Sequence, residues 1–165
     1  MIKHQSRFCI FSAYIKLEKV NYKIDEINST EYKEVVDLWE ASVRATHHFL
    51  KEEDIAYFKP LILNTYLDAV ELKCIKINNK IVGFLGVAEQ SLEMLFIHPE
   101  YRGKKVGKTL LEYSIDKLNV DKVDVNEQNE QAVGFYNHFG FETIKRSELD
   151  ATGKPYPILH MQLSK

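Results

Sequence analysis

The sequence predicts an α/β domain of the α+β kind, with six to seven strands and about four helices. Three observations carry that expectation. The hydrophobic period switches along the chain between two residues and 3.6 residues. A turn sequence, Asn78-Asn79-Lys80, separates two β-rich runs. The stretch Leu92–Leu118 reads as a strand, a basic glycine-containing turn and an amphipathic helix in direct succession.

With 165 residues, 45% apolar and 28% charged, the chain has the composition of one globular domain and enough length to bury a core. That domain is expected over residues 21–165. Residues 1–20 are expected to be an N-terminal extension, poorly ordered, whose short apolar run lacks the features of a signal peptide. Cys9 and Cys74 form no CxxC pair and sit in apolar surroundings, which points to a reducing, cytoplasmic setting. No run approaches the ~18 apolar residues of a membrane span, so no membrane association is expected. The formal net charge of -2 argues against nucleic acid as a partner. The adjacent pair His47-His48 has no Cys or acidic ligand at metal spacing, so no metal is expected.

Taken in order, Tyr22–Ile27 alternates weakly and reads as a first edge strand. Asn28-Ser29-Thr30 offers N-cap groups, and Tyr32, Val35, Val36, Trp39 and Val43 follow at helical spacing, giving a helix to about Ala45. Residues 52–67 have a helical pattern but contain Pro60, so a kinked helix or two shorter helices are expected. Leu72–Ile77 and Ile81–Ala88 form a hairpin and lead into the strand Leu92–Ile97, which Pro99 stops near His98. From Lys104, Val106, Leu110, Leu111, Ser114, Ile115 and Leu118 share one helix face. Asp121–Val125 is a short strand. Asn129 then caps a helix carrying Ala132, Val133, Tyr136 and Phe139 on one side, and Gly140 closes it. Gly140–Ile144 and Ile158–Leu163 complete the sheet.

Positive charge gathers at the turn before the Lys104–Leu118 helix, where Arg102, Lys104, Lys105 and Lys108 face only Glu100. A helix N-terminus leaves its first N–H groups unpaired at the positive end of the helix dipole, so this turn is a candidate phosphate site. Gly103 and Gly107 would let a phosphate approach the backbone closely.

This turn and the Asn129–Phe141 stretch together resemble the signature of the GNAT acetyltransferase family. Arg102-Gly-Lys-Lys-Val-Gly107 is similar to its pyrophosphate loop, Gln/Arg-x-x-Gly-x-Gly/Ala, with Lys105 standing where the first Gly is usual. A non-Gly residue held in a left-handed conformation costs roughly 1–2 kcal/mol, while a lysine there could equally add a phosphate contact. Asn129, Ala132, Tyr136, Gly140 and Phe141 match Asn-x-x-Ala-x-x-x-Tyr-x-x-x-Gly-Phe at each position. Within the family, VNEQNEQAVGFY and GKPYP most resemble the bacterial YjaB-type members.

The resemblance implies the GNAT acyl-CoA N-acyltransferase fold: a central mixed, mostly antiparallel sheet with a splayed parallel pair, here Leu92–Ile97 and Asp121–Val125. It implies acetyl-CoA as cosubstrate and direct transfer of the acetyl group to a primary amine in a ternary complex. Leu95, Phe96 and Ile97 would offer backbone groups to the acetyl and pantetheine amides. Arg102, Gly103, Lys104, Lys105, Val106, Gly107 and Lys108 would cradle the pyrophosphate. Asn129 would bond the pantetheine, Asn126 would line its channel, and Tyr136 would be the general acid that protonates the leaving thiolate.

No spacing identifies the general base. Glu93, sharing strand parity with Leu95 and Ile97, is one candidate; Glu127, His47, His48 and a water relay are rivals. His47, His48 and Phe49 either wall the acceptor pocket or face water and plug a helix junction. Tyr156, between Pro155 and Pro157, either folds over the acceptor or is a packing anchor. The alternative function is a non-catalytic acyl-CoA-binding regulatory module, motivated by Lys105 and by the missing base. The acceptor is left open between a protein or peptide amine and a small molecule, and the assembly between monomer and homodimer.

Overall fold

The computed structural model describes residues 21–164; the expected extension, residues 1–20, and Cys9 lie outside them. Strands β1 (Ile24–Glu26), β2 (Glu71–Ile77), β3 (Lys80–Ala88), β4 (Ser91–Ile97), β5 (Lys122–Asn126), β6 (Phe141–Ser147) and β7 (Ile158–Leu163) form one sheet. Their spatial order is β1-β2-β3-β4-β5-β7-β6. All neighbours are antiparallel except β4 and β5. Helices α1 (Tyr32–Thr46) and α2 (Glu52–Leu61) contribute to one core, and α3 (Val106–Leu118) and α4 (Glu130–His138) to another.

The sheet separates these cores by the period-two alternation of its strands. Phe84 and Leu85 are adjacent on β3 and both fully buried, yet Phe84 joins Trp39, Val43 and Cys74 whereas Leu85 joins Leu110 and Leu111. Burial pushes the Cys74 thiol up to about 11, so it behaves as a small apolar side chain.

Turn chemistry sets the strand registers. Asn78 and Asn79 hold φ of 50° and 61° between β2 and β3, the pair of left-handed residues that a two-residue hairpin requires. Glu89 and Gln90 do the same between β3 and β4, with φ of 47° and 68°, although neither residue type signals it. Pro60 does not break α2 in two. The helix passes through it and loosens into a π turn over Ile62–Tyr66 and a 3-10 turn over Leu67–Ala69. The missing N–H and the ring's clash with the carbonyl four residues back account for the widened ladder.

Two features of the fold position the site. The parallel pair β4–β5 is joined only at Ser91↔Lys122 and Leu92↔Val123; beyond that point β4 stays with β3 and β5 stays with β7, so the strands splay. The second is a bulge. Met94 faces Gly86 and Leu92 faces Val87, so Glu93 is an extra residue in β4. That residue resets the alternation: Leu92, Leu95 and Ile97 pack toward α3, whereas Met94 and Phe96 pack toward α1. The parity expected to align Glu93 with Leu95 and Ile97 therefore does not hold.

Gly83 on β3 lets the start of α3 reach the sheet. A Cβ there would lie 2.7 Å from Val106 Cγ1 and 2.9 Å from Ile97 Cδ1, too close for any side chain.

Candidate active site

Over the splay lies a cleft of about 400 Å³, walled by β4, the N-terminus of α3 and the inner face of α4. It continues into a recess of about 100 Å³ between β4 and β5. His47, Leu95, Phe96, Asn129, Ala132 and Tyr136 border both parts. Leu95, Phe96 and Ile97 form the floor, and past Leu92 the backbone groups of β4 that face β5 have no strand partner.

The loop at one end gathers cations and free backbone N–H groups. Pro99–Tyr101 makes a 3-10 turn in which His98 Nδ1 accepts from the Glu100 N–H at 3.4 Å. Lys105 then adopts φ 67° and ψ 3°, the left-handed conformation its position required. The first bond of α3 runs from the Thr109 N–H to the Lys105 carbonyl at 2.9 Å, which leaves the N–H groups of Val106, Gly107 and Lys108 without a helical acceptor. Arg102, Gly103, Lys105, Gly107 and Lys108 line the cleft.

Two loop residues expected there do not present side chains to it. Lys104 turns away, its Nζ 5.0 Å from the centre of the Tyr101 ring and its carbonyl accepting from the Tyr22 hydroxyl at 2.9 Å. Val106 is 1% exposed and packs in the core, so only its backbone N–H remains on offer. The Arg102 guanidinium donates to Gln131 Oε1 of α4, and both residues line the cleft, a link that local sequence pattern does not announce.

On α4, Asn129 caps the helix: its Oδ1 accepts from the Ala132 N–H at 3.2 Å. That engages the oxygen and leaves the Nδ2 donors for a ligand. Asn126 borders the recess, with its Oδ1 accepting from the Gln128 N–H at 2.9 Å. Tyr136, about two turns past the Asn129 cap, is 6% exposed and held edge-on between Phe135 and Phe141, with ring centroids 5.3 and 5.8 Å away. Burial pushes its phenol well above the ordinary value, so the hydroxyl keeps its proton at neutral pH.

The other end of the cleft meets the junction of α1 and α2. His47, just past α1, lies against Phe49 and Phe96, with ring centroids 5.3 and 6.5 Å away. Its Nδ1 is 2.7 Å from Thr46 Oγ1, and that hydroxyl donates to the Ser42 carbonyl at 2.8 Å. Burial first, then the charges of Arg102 and His48, lower the His47 pKa to about 4. His48 is exposed and borders neither part of the cleft. Phe49 packs between His47 and Tyr156, 6.0 Å from the latter.

Tyr156 is buried. It is 6% exposed and its hydroxyl donates to the Asp54 carboxylate, which Lys154 Nζ also meets at 2.6 Å. It borders neither part of the cleft. Asp54 itself carries no sequence signal, because an acid in the first turn of a helix reads as a partner for the helix dipole. Of the carboxylates weighed as a base, Glu127 is held by Arg146 at 2.8 and 2.7 Å, and that guanidinium lowers its pKa. Glu93 is exposed and borders the recess, as does Asp124, whose Oδ1 is 2.7 Å from His160 Nδ1.

Among the described residues, no group of three or more His, Cys, Asp or Glu side chains is arranged to hold a metal ion. No described helix is long and apolar enough to cross a membrane.

Residues 47–164 match the family model for an acetyltransferase (GNAT) domain. The peptidyl-lysine N-acetyltransferase YjaB of Escherichia coli K12 is 40% identical over 131 residues, 79% of this chain and 89% of its own length. The solution structure of apo-form YjaB from Escherichia coli superposes with a TM-score of 0.78 at 38% identity, covering 86% of this chain and 97% of that one. PaiA N-acetyltransferase from Thermoplasma acidophilum, solved in complex with coenzyme A, shares the fold with a TM-score of 0.62 at 20% identity, over 86% of this chain and 99% of that one.

Proposed function

The chain belongs to the GNAT acetyltransferase family, and from that premise we propose that it acetylates lysine side chains of peptides or proteins, taking the acetyl group from acetyl-CoA in the cleft over the β4–β5 splay. One observation carries the reading: a helix N-terminus with unpaired N–H groups and a recess for a second substrate open onto one buried phenol, Tyr136.

On the donor side, Arg102, Lys105 and Lys108 with the N–H groups of Val106, Gly107 and Lys108 hold the pyrophosphate. The pantetheine takes the place of a missing strand along the unpaired edge of β4, which bonds its amides together with Asn129 Nδ2. The backbone at Leu95–Ile97 donates to the oxygen of the carbonyl under attack, stabilising the charge that develops there. Tyr136 gives its proton to the sulfur as the C–S bond breaks; its raised pKa keeps it protonated for that task.

On the acceptor side, the recess combines an apolar lining, from Leu92, Val123 and Val125, with the carboxylates of Glu93 and Asp124. An aliphatic stem ending in an ammonium matches both, which favours lysine over a neutral or anionic acceptor. The lysine activity of YjaB points the same way.

The test has two stages. Calorimetric titration with acetyl-CoA at low and high salt is expected to give saturable binding that salt weakens. Mass spectrometry then follows acetyl transfer to a panel of lysine peptides, the same peptides with lysine replaced by norleucine, and small amines. Modification confined to the lysine peptides is the expected outcome. Transfer to small amines alone would refute the acceptor assignment, and absence of donor binding by folded protein would refute the cleft assignment.

A further inference from the structure

His47 borders both the cleft and the recess, and its ring is held in one protonation pattern. The Thr46 hydroxyl has a single proton, which it donates to the Ser42 carbonyl at 2.8 Å. It therefore has only a lone pair to offer His47 Nδ1, 2.7 Å away, so Nδ1 must carry the imidazole proton. Nε2 is left as an unprotonated acceptor. Phe49 and Phe96 hold the ring in place, and Phe96 belongs to the floor shared by both parts of the cleft.

The charges around this ring have a direct link to the donor site. Arg102, in the loop before α3, lines the same cleft as His47, and His48 is next in the chain. Glu93 and Asp124 share the recess with it, and Tyr136 faces the same space from α4. Arg102 is the cation that a bound pyrophosphate would neutralise. In the free protein burial first, and then the charges of Arg102 and His48, oppose a proton on His47.

Resting on the acetyltransferase reading above, we propose that His47 Nε2 accepts the proton of the attacking amine and that phosphate binding at Arg102 switches this acceptor on. Donor binding thus precedes activation of the base. The lysine ammonium first gives one proton to solvent; the neutral amine nitrogen then bonds to the thioester carbonyl carbon, and the surplus proton of the adduct passes to Nε2. The C–S bond then breaks while Tyr136 donates its proton to the sulfur. One proton gained by His47 and one lost by Tyr136 balance, and exchange through solvent restores both groups. Thr46 is a positioning residue that fixes which nitrogen is free.

The experiment reads His47 in the full chain by imidazole nitrogen NMR, with CoA as the probe and no acceptor present. The Nδ1–H tautomer is expected, with a titration midpoint that rises on saturation with CoA. In Arg102→Gln the free protein is expected to begin from the higher midpoint, with CoA at saturating concentration moving it little. Thr46→Val is expected to give a mixture of tautomers. His47→Asn, which retains a partner for Thr46 but has no acceptor at the Nε2 position, is expected to bind acetyl-CoA normally and to lose about 100-fold or more in kcat toward a lysine peptide. An Nε2–H tautomer, a midpoint that CoA does not move, or unchanged kcat in His47→Asn would each overturn the proposal. Wild-type protein that modifies no lysine peptide would refute the acceptor class instead, and the NMR readout decides the role of His47 independently of it.

Discussion

Tyr136→Phe separates a proton donor from a core aromatic. The substitution removes one oxygen and keeps the ring between Phe135 and Phe141, at centroid distances of 5.3 and 5.8 Å. Burial alone accounts for the raised pKa of the phenol, with no charged or hydrogen-bonded neighbour contributing, so its loss orphans no partner. Stability should therefore change by no more than about 0.5 kcal/mol, and acetyl-CoA affinity should hold. Turnover should fall about 10²–10⁴-fold, the range for loss of a general acid, equivalent to roughly 3–5 kcal/mol of barrier. The raised pKa also predicts that kcat of the wild type shows no basic limb from this phenol below about pH 10. Urea denaturation, calorimetry with acetyl-CoA and steady-state kinetics across pH 6–10 measure the three quantities. Unchanged turnover, or a loss of turnover that merely tracks a loss of stability, would refute the proton-donor assignment.

Two further predictions address the supporting structure. Asp54→Ala leaves the buried Tyr156 hydroxyl without its acceptor and should cost about 1–3 kcal/mol in urea denaturation, with Tyr156→Phe less than additive upon it. Lys154 first and Tyr156 second lower the Asp54 pKa, so its contribution should be complete above about pH 4 and disappear as pH falls through the depressed value; Asp54→Asn should flatten that acid limb. Lys105→Gly relieves a left-handed residue at φ 67°, roughly 1–2 kcal/mol, offset by roughly 0.5–1 kcal/mol of glycine entropy. A net gain of about 0.5–1 kcal/mol is expected with slightly weaker acetyl-CoA binding, whereas Lys105→Glu should weaken binding strongly at low salt and less at high salt. A Tm for Lys105→Gly below that of the wild type would contradict the strain argument.

Much of this protein was legible in its sequence because the controlling interactions are local. Periodicity over a few turns marked α1, α3 and α4. Asn129 announced its own cap, and Asn78-Asn79 announced its turn. The basic loop ahead of α3 was visible as a charge cluster. The spacing from Asn129 to Tyr136 and on to Phe141 carried the family resemblance, since a cap, the short helix it opens and the strand that follows at once keep fixed relations to one another.

Tertiary structure decided the rest. The bulge at Glu93 depends on how β4 pairs with β3, and a single inserted residue reverses every parity inference beyond it. Lys104 and Val106 lie in the right loop, but packing against Tyr101 and Gly83 determines which way each side chain points. Asp54 and Tyr156 are separated by 102 residues, and Arg102 and Gln131 by 29, so no local pattern could pair them. The Ser42–Thr46–His47 chain uses ordinary helix-end residues, whose role emerges only when Phe96 packs against the ring and Arg102 lines the same cleft. Sequence determined the elements and the donor loop through short-range geometry; folding decided which side chains share the cleft, because that depends on contacts between elements far apart in the chain.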